Sequence, residues 1–295
     1  ISKLSPSGVR AWSTFVGGVG ADEINALLID STGAIVVGGQ EIIKIGNDGS
    51  AVLSKVSVGG TVRALAKNSL SQLFFAGSSL QNKGSALVGR IAPNGTLDWT
   101  SHIGGSDGDE AFAITQSASG IIIGGSTKSF DFPTSSGAFD MVRHSGKDGF
   151  LTKISELGGA SPTWSTLLAG HGHDQVTGIA VDPAGGFAIA YWTDSPGTGA
   201  KGMIDAGIRK ISETGSVLWS VSLGVPDQDD YTRGIAVDSA GAVYVCSNSG
   251  KNMHITKIAA DGARTIWTKN LTGSGSQSCG GIALDSFGDV VVSGY

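Results

Sequence analysis

Long apolar runs are missing from this chain, and none approaches the roughly 18 residues that a membrane-spanning helix requires. Basic clusters are missing as well. Twenty Lys and Arg stand against 25 Asp and Glu, a net charge of −5. Phosphate recognition needs clustered cations, so nucleic acid is excluded as an expected partner. There are two cysteines, too few for a disulfide scaffold. No segment shows a sustained helical period. Glycine is abundant, 47 of 295 residues, but has no Gly-x-y period, which excludes a collagen-like chain. H-E-x-x-H, P-loop and Rossmann signatures are all absent. The chain opens at Ile1 without a signal peptide, which is expected of a mature product or of a piece of something longer.

What is present is a two-part repeat. Its first half runs LLIDSTGAIVVGG (Leu27 to Gly39), LAKNSLSQLFFAG (Leu65 to Gly77), ITQSASGIIIGG (Ile114 to Gly125), IAVDPAGGFAIA (Ile179 to Ala190), IAVDSAGAVYVCS (Ile235 to Ser247) and IALDSFGDVVVSG (Ile282 to Gly294). In the second half a basic residue precedes an aliphatic one: Lys3, Lys44, Arg90, Lys153, Lys210 and Lys257. A turn follows at Gly8, Gly49, Gly95, Gly159, Gly215 and Gly262. Five copies then reach a tryptophan, Trp12, Trp99, Trp164, Trp219 and Trp267, with Leu53 in the remaining one.

Each unit reads as four short strands, A and B from the first half and C and D from the second, separated by Gly, Ser, Asp or Asn turns. A period of roughly 40–50 residues built only of short strands predicts a β-propeller. The expected fold is a single all-β domain over residues 1–295, a six-bladed propeller of about 24 strands. Its blades fall near 26–58, 64–104, 113–169, 178–223 and 234–272, with 281–295 and 1–17 joined as the sixth. The chain opens with a C–D pair and finishes with an A–B pair, so this closure would remove every free sheet edge. The repeated tryptophans are expected to pack between blades, and the repeated cations to bond turn carboxylates such as Asp30 or Asp238.

The segment STKSFDFPTSSGAFDMVRHSGKDGFLTKIS (Ser126 to Ser155) resembles the SBBP β-propeller repeat family. The shared residues are Asp131, Phe132, Pro133, Gly137, Ala138, Phe139, Asp148, Phe150, Lys153 and Asp174. The resemblance is close over 104–190 and weaker elsewhere. It implies a propeller and a secreted or cell-surface setting, and it carries no catalytic residues.

Propellers bind ligands at the face bearing the D–A and B–C loops. Counting back from each A strand places Asp22, Asp109, Asp174 and Asp230 at equivalent positions, with Gly60 and Gln277 in the other two copies. Such a ring could hold calcium or another divalent cation, or each Asp could cap its own turn. His171 and His173, two residues apart, could join Asp174 around a metal. Gly104 to Gly108 has the letters of a hydrolase elbow, but no helix follows Ser106, so that chemistry is rejected. The variable B–C loops offer Arg143 and His144 in one blade and Tyr191 and Trp192 in another; Trp192 and Tyr231 are the candidate exposed aromatic contacts. Cys246 and Cys279 fall on one face of adjacent blades, where either a disulfide or two buried thiols fits. The sequons at Asn94 and Asn270 are no more than a chain rich in Ser and Thr carries by chance.

The leading expectation is a non-catalytic extracellular interaction or scaffold module, binding a protein or glycan at its loop-rich face, with self-assembly open. The rivals are a carbohydrate-binding propeller and a metal-dependent hydrolase or lyase acting at the channel mouth.

Overall fold

The computed structural model describes residues 1–17, 22–81, 84–144, 146–159, 161–168, 170–195 and 204–295. Alternating and continuous aliphatic runs become strands, and the Gly- and Asp-bearing segments between them become tight turns. The N-terminal pair is β1 (Ser2–Leu4) and β2 (Arg10–Ser13). Blade I holds β3 (Ala26–Ile29), β4 (Ile35–Gly38), β5 (Glu41–Ile45) and β6 (Val52–Ser57). Blade II holds β7 (Gly60–Lys67), β8 (Leu73–Ser79), β9 (Ala86–Ile91) and β10 (Leu97–Ile103). Blade III holds β11 (Asp109–Ser117), β12 (Gly120–Thr127), β13 (Asp148–Ile154) and β14 (Trp164–Leu168). Blade IV holds β15 (Asp174–Val181), β16 (Phe187–Thr193), β17 (Asp205–Ile211) and β18 (Val217–Ser222). Blade V holds β19 (Asp230–Val237), β20 (Val243–Ser249), β21 (Asn252–Ile258) and β22 (Thr265–Leu271). The C-terminal pair is β23 (Cys279–Leu284) and β24 (Val290–Gly294).

Every sheet is antiparallel and ordered as in the chain. The A strands of successive blades lie beside one another, so the chain winds about a central axis. The A strands β7, β11, β15, β19 and β23 each carry a bulge, which sharpens their twist.

The repeated tryptophan and cation form a clasp between blades. Four of the five rings cover a turn of the following blade, Trp12 over Gly49, Trp99 over Gly158, Trp164 over Gly215 and Trp219 over Gly262. Gly262 has φ +71°, and a Cβ there would lie 2.5 Å from the Trp219 ring. Only glycine combines that φ with so close an approach. Three indoles also donate to a carbonyl of the same turn: Trp12 to Asn47 at 3.3 Å, Trp164 to Glu213 at 3.1 Å and Trp219 to Ala260 at 3.1 Å. The strand C cations reach the same carbonyls, Lys3 to Asn47, Lys153 to Glu213 and Lys210 to Ala260. They also pair with carboxylates: Lys44 with Asp30 at 2.6 Å, Lys257 with Asp238 at 3.2 Å, Lys153 with Glu213 at 2.7 Å and Lys210 with Asp182. Burial would raise the Asp30 pKa, but Lys44 and the turn N–H groups outweigh it and hold the carboxyl down at about 2.

The sixth blade departs from expectation. Instead of one four-stranded sheet, the structure contains two separate pairs, β1–β2 and β23–β24, beside five complete blades. The first pair packs on blade I through Ile1, Trp12 and Val16. The second packs on blade V through Cys279, Ile282, Val290 and Val292. Each half-blade is therefore held by its neighbour's apolar face, and among the described residues no backbone hydrogen bond joins the two. A gap of about 430 Å³ separates β3 from β23 at this seam. Among the described residues no helix is long and apolar enough to cross a membrane.

Candidate functional site

The D–A loop entering each blade hydrogen-bonds the B–C loop of that same blade. Ser106 N–H donates to Asp131 at 2.7 Å, and Asp107 N–H to the Ser129 hydroxyl at 2.9 Å. Gly172 N–H donates to the Ser195 hydroxyl at 3.0 Å, and Gly250 N–H to the Asp229 carbonyl at 3.2 Å. These contacts bring the variable loops together on one face.

The Asp side chains that begin the A strands fold back onto that loop layer. Asp109 accepts from Gly105 N–H and from the Ser129 hydroxyl, both at 3.0 Å. Asp174 accepts from Gly170 N–H at 3.0 Å and from the Ser195 hydroxyl. Asp230 accepts from Val225 N–H at 2.7 Å. Asp22 lies against Gly17 of its own turn. Gln277, which replaces Asp, accepts from Gly273 N–H at 2.9 Å in the same way. A neutral amide in the same role shows that the position needs an acceptor, not a charge. Burial pushes the pKa values of Asp109, Asp174 and Asp230 up. The expected acidic ring is thus a ring of turn caps. Of the cap oxygens among the described residues, Oδ1 of Asp109 is buried without a hydrogen-bond partner.

The expected His171–His173–Asp174 trio does not converge. His173 Nδ1 sits 3.1 Å from Asp194 Oδ2, while its backbone N–H donates to the other oxygen of that carboxylate. His171 turns instead toward His144, the two rings meeting edge to face at 4.8 Å. Among the described residues no group of three or more His, Cys, Asp or Glu is placed to hold a metal ion.

The aromatic candidates separate into packed and accessible. Tyr191 is buried, filling the space over Gly207 with the Arg209 guanidinium 5.2 Å from its ring centre. Trp192 and Tyr231 are half-exposed and meet edge to face at 5.6 Å between blades IV and V, with Arg233 at 5.9 Å over Tyr231. The part of the Trp192 loop at 196–203 lies outside the described residues.

Arg143 and His144 lie at the end of the long B–C insert of blade III. The Arg143 guanidinium stacks on exposed Phe130 at 4.4 Å, and its Nε is 3.5 Å from Asp148. Asp148 accepts from His144 N–H at 3.0 Å. Arg143 Nε, His144 Nδ1 and Asp148 Oδ1 are all buried without hydrogen-bond partners. Asp148 was not a sequence candidate; its only signal was its place at the head of the resemblance's C strand. Burial pushes its pKa up to about 6, against the pull of His144 and Arg143.

Because Asp148 holds its proton more tightly folded than unfolded, its contribution to stability is fullest below about pH 4 and is lost as pH rises through about 6. A shift of about two units corresponds to about 3 kcal/mol. Melting temperatures of the native protein and Asp148→Asn between pH 4 and 7 check this. The native curve should fall relative to the variant's, and parallel curves would refute the raised pKa.

Cys246 and Cys279 are joined as a disulfide, linking β20 of blade V to the first residue of β23.

Residues 218–252, from β18 through β20, match the SBBP family model, described as a beta-propeller repeat. The chain carries an SBBP beta-propeller repeat. The matched stretch falls in blades IV and V and not in Ser126–Ser155, where the sequence resemblance was closest. No curated protein gives a significant match. Three solved structures share the architecture. Hydrazine synthase of Kuenenia stuttgartiensis is 12% identical, with a TM-score of 0.63 over 95% of this chain and 77% of that one. Virginiamycin B lyase from Staphylococcus aureus is 13% identical, with a TM-score of 0.56 over 92% and 83%. XC5397, a gluconolactonase from Xanthomonas campestris, is 14% identical, with a TM-score of 0.52 over 93% and 84%. At such identities the likeness is one of fold, and the chemistry in those names belongs to those proteins.

Proposed function

We propose that this SBBP-repeat propeller is a non-catalytic extracellular or cell-surface binding module whose loop-rich face docks a protein or glycan. The observation that carries this reading is the division of labour on that face. The repeated carboxylates are turned onto their own loops as caps, whereas the non-repeating side chains of blades III to V, Phe130, His171, His173 and Trp192, reach the surface. A rigid repeat that presents variable side chains suits recognition. The Cys246–Cys279 disulfide supports an oxidising compartment.

The working form of this module is a closed six-bladed ring. In four of the five preceding interfaces a tryptophan covers a turn glycine of the next blade, and in the fifth Ser54 lies against Gly95. Trp267 of blade V has its counterpart in Gly8, which has φ +79° and nothing within 4 Å of its missing Cβ. Pairing β24 with β1 would bring that glycine under Trp267 and satisfy two open sheet edges.

The Trp192–Tyr231 pair favours a glycan over a protein as the partner, because an exposed aromatic offers a flat stacking surface. A glycan array probed with the native protein and Trp192→Ala tests this. Loss of binding in the variant supports the glycan reading. Undiminished binding removes Trp192 from the site, and no binding at all leaves a protein partner.

A further inference from the structure

The groove between blades IV and V is open where the two preceding grooves are plugged by aromatic rings. On strand C, the residue three before the repeated cation faces the previous blade. In blade III this is Phe150, fully buried against Phe132 of the long insert at 4.7 Å between ring centres. In blade IV it is Gly207, and the Tyr191 ring fills the space above it. In blade II it is Leu87, packed with Phe75. In blade V it is His254, which pairs across the sheet with Ser247. Only Gly250 and Lys251 connect β20 to β21, so blade V has no insert that could supply an equivalent of Phe132.

The result is a cavity of about 240 Å³ whose walls are polar where the other interfaces are apolar. Asp230, Ser247, Ser249, His254, Thr256 and Thr268 line it. Thr256 and Thr268 face each other with their hydroxyls 3.2 Å apart. Leu223 and Val225 supply an apolar edge, and Leu223 occupies the place that Ile103 takes beside Phe132. Hydroxyls donate and accept equally well, and among the described residues the lining holds no Lys or Arg that would select an anion. The volume is below the roughly 300 Å³ at which drug-sized ligand pockets begin, which limits the occupant to about one ring.

We propose that this interblade groove binds one neutral sugar ring or a polyol of that size, its hydroxyls matched to the Ser and Thr hydroxyls and to His254, its C–H face on Leu223 and Val225. The groove adjoins the loop face proposed above, since Val225 and Asp230 belong to that loop layer, but it does not use Trp192, so either reading can fail without the other.

The test is calorimetric titration with glucose, galactose, mannose and glucuronate, on the native protein, His254→Phe and Thr256→Val. His254→Phe restores the residue type that plugs blade III, and Thr256→Val removes one hydroxyl at constant shape. At least one neutral hexose should bind the native protein at millimolar concentration and bind His254→Phe about tenfold more weakly or not at all. Thr256→Val should weaken it several-fold, and glucuronate should bind least because no Lys or Arg among the described lining residues offers its carboxylate a partner. Melting temperatures confirm that the variants are folded. The proposal is overturned if no neutral hexose binds the native protein, if both folded variants bind undiminished, or if glucuronate binds as well as the neutral sugars. A hexose signal lost in Trp192→Ala but kept in His254→Phe would place binding at the loop face and likewise overturn it.

Discussion

Alanine in place of Trp219 is expected to cost about 3 kcal/mol of folding stability, near the lower end for a large aromatic because the ring is only partly buried. The loss has three sources. The ring leaves an empty slot against the buried cluster of Ala188, Ala190, Ile208, Val243, Val245 and Ile258. The Ala260 carbonyl loses its indole donor. The Gly262 turn loses the surface on which it rests. At roughly 2–4 °C per kcal/mol for a large domain, the melting temperature should fall by about 6 °C or more. Gly262→Val should do similar damage from the other side, since its side chain meets the ring and its backbone is held at positive φ. Thermal unfolding by circular dichroism measures both. If either variant melts with the native protein, the clasp is decoration.

The same clasp tests ring closure. In a closed ring, Trp267→Ala should destabilise about as much as Trp219→Ala, and amide exchange at β1 and β24 should slow to the level of the inner strands. In an open ring those edge amides exchange freely, and Trp267→Ala costs markedly less.

Removing the disulfide as Cys246→Ala with Cys279→Ala is expected to cost about 3–4 kcal/mol. The bond closes a loop between residues 33 apart, and that range follows from the chain entropy of such a loop. The damage should be local. The β23–β24 pair meets blade V through a small cluster that includes both sulfurs, Met253 and Ile255. Without the bond this pair has no sheet partner to hold it. Exchange in β23 and β24 should rise before that of β19 to β21, and reductant should reproduce the double substitution. Equal melting temperatures with and without reductant would refute a stabilising disulfide.

How legible each element was depends on how local its cause is. Strand C with its cation and strand D with its tryptophan were read correctly because the same contact recurs, and recurrence marks a structural role. The caps Asp109, Asp174 and Asp230 were visible as a set, but their direction was not. A carboxylate before a strand can point to a channel or back to its turn, and the loop N–H groups decide which. His171, His173 and Asp174 are neighbours in the chain, yet Asp194 from the next loop takes one imidazole and His144 the other. Asp148 is legible only as a shared repeat residue, because its burial comes from a folded insert. The groove beside His254 was invisible because it exists only by contrast with Phe132 and Tyr191, which fill the same place elsewhere.

The repeat, its roughly 24 strands, their order and the residues that join blade to blade are legible in the amino-acid order, because each follows from alternation, turn chemistry or a contact between adjacent units. Tertiary structure alone decided which carboxylates are caps, which aromatic rings are buried, where an interblade groove stays open, and that the two half-blades stand as separate sheets. Those outcomes depend on side chains far apart in sequence competing for the same donors and the same space, and that competition is settled only once the blades are packed.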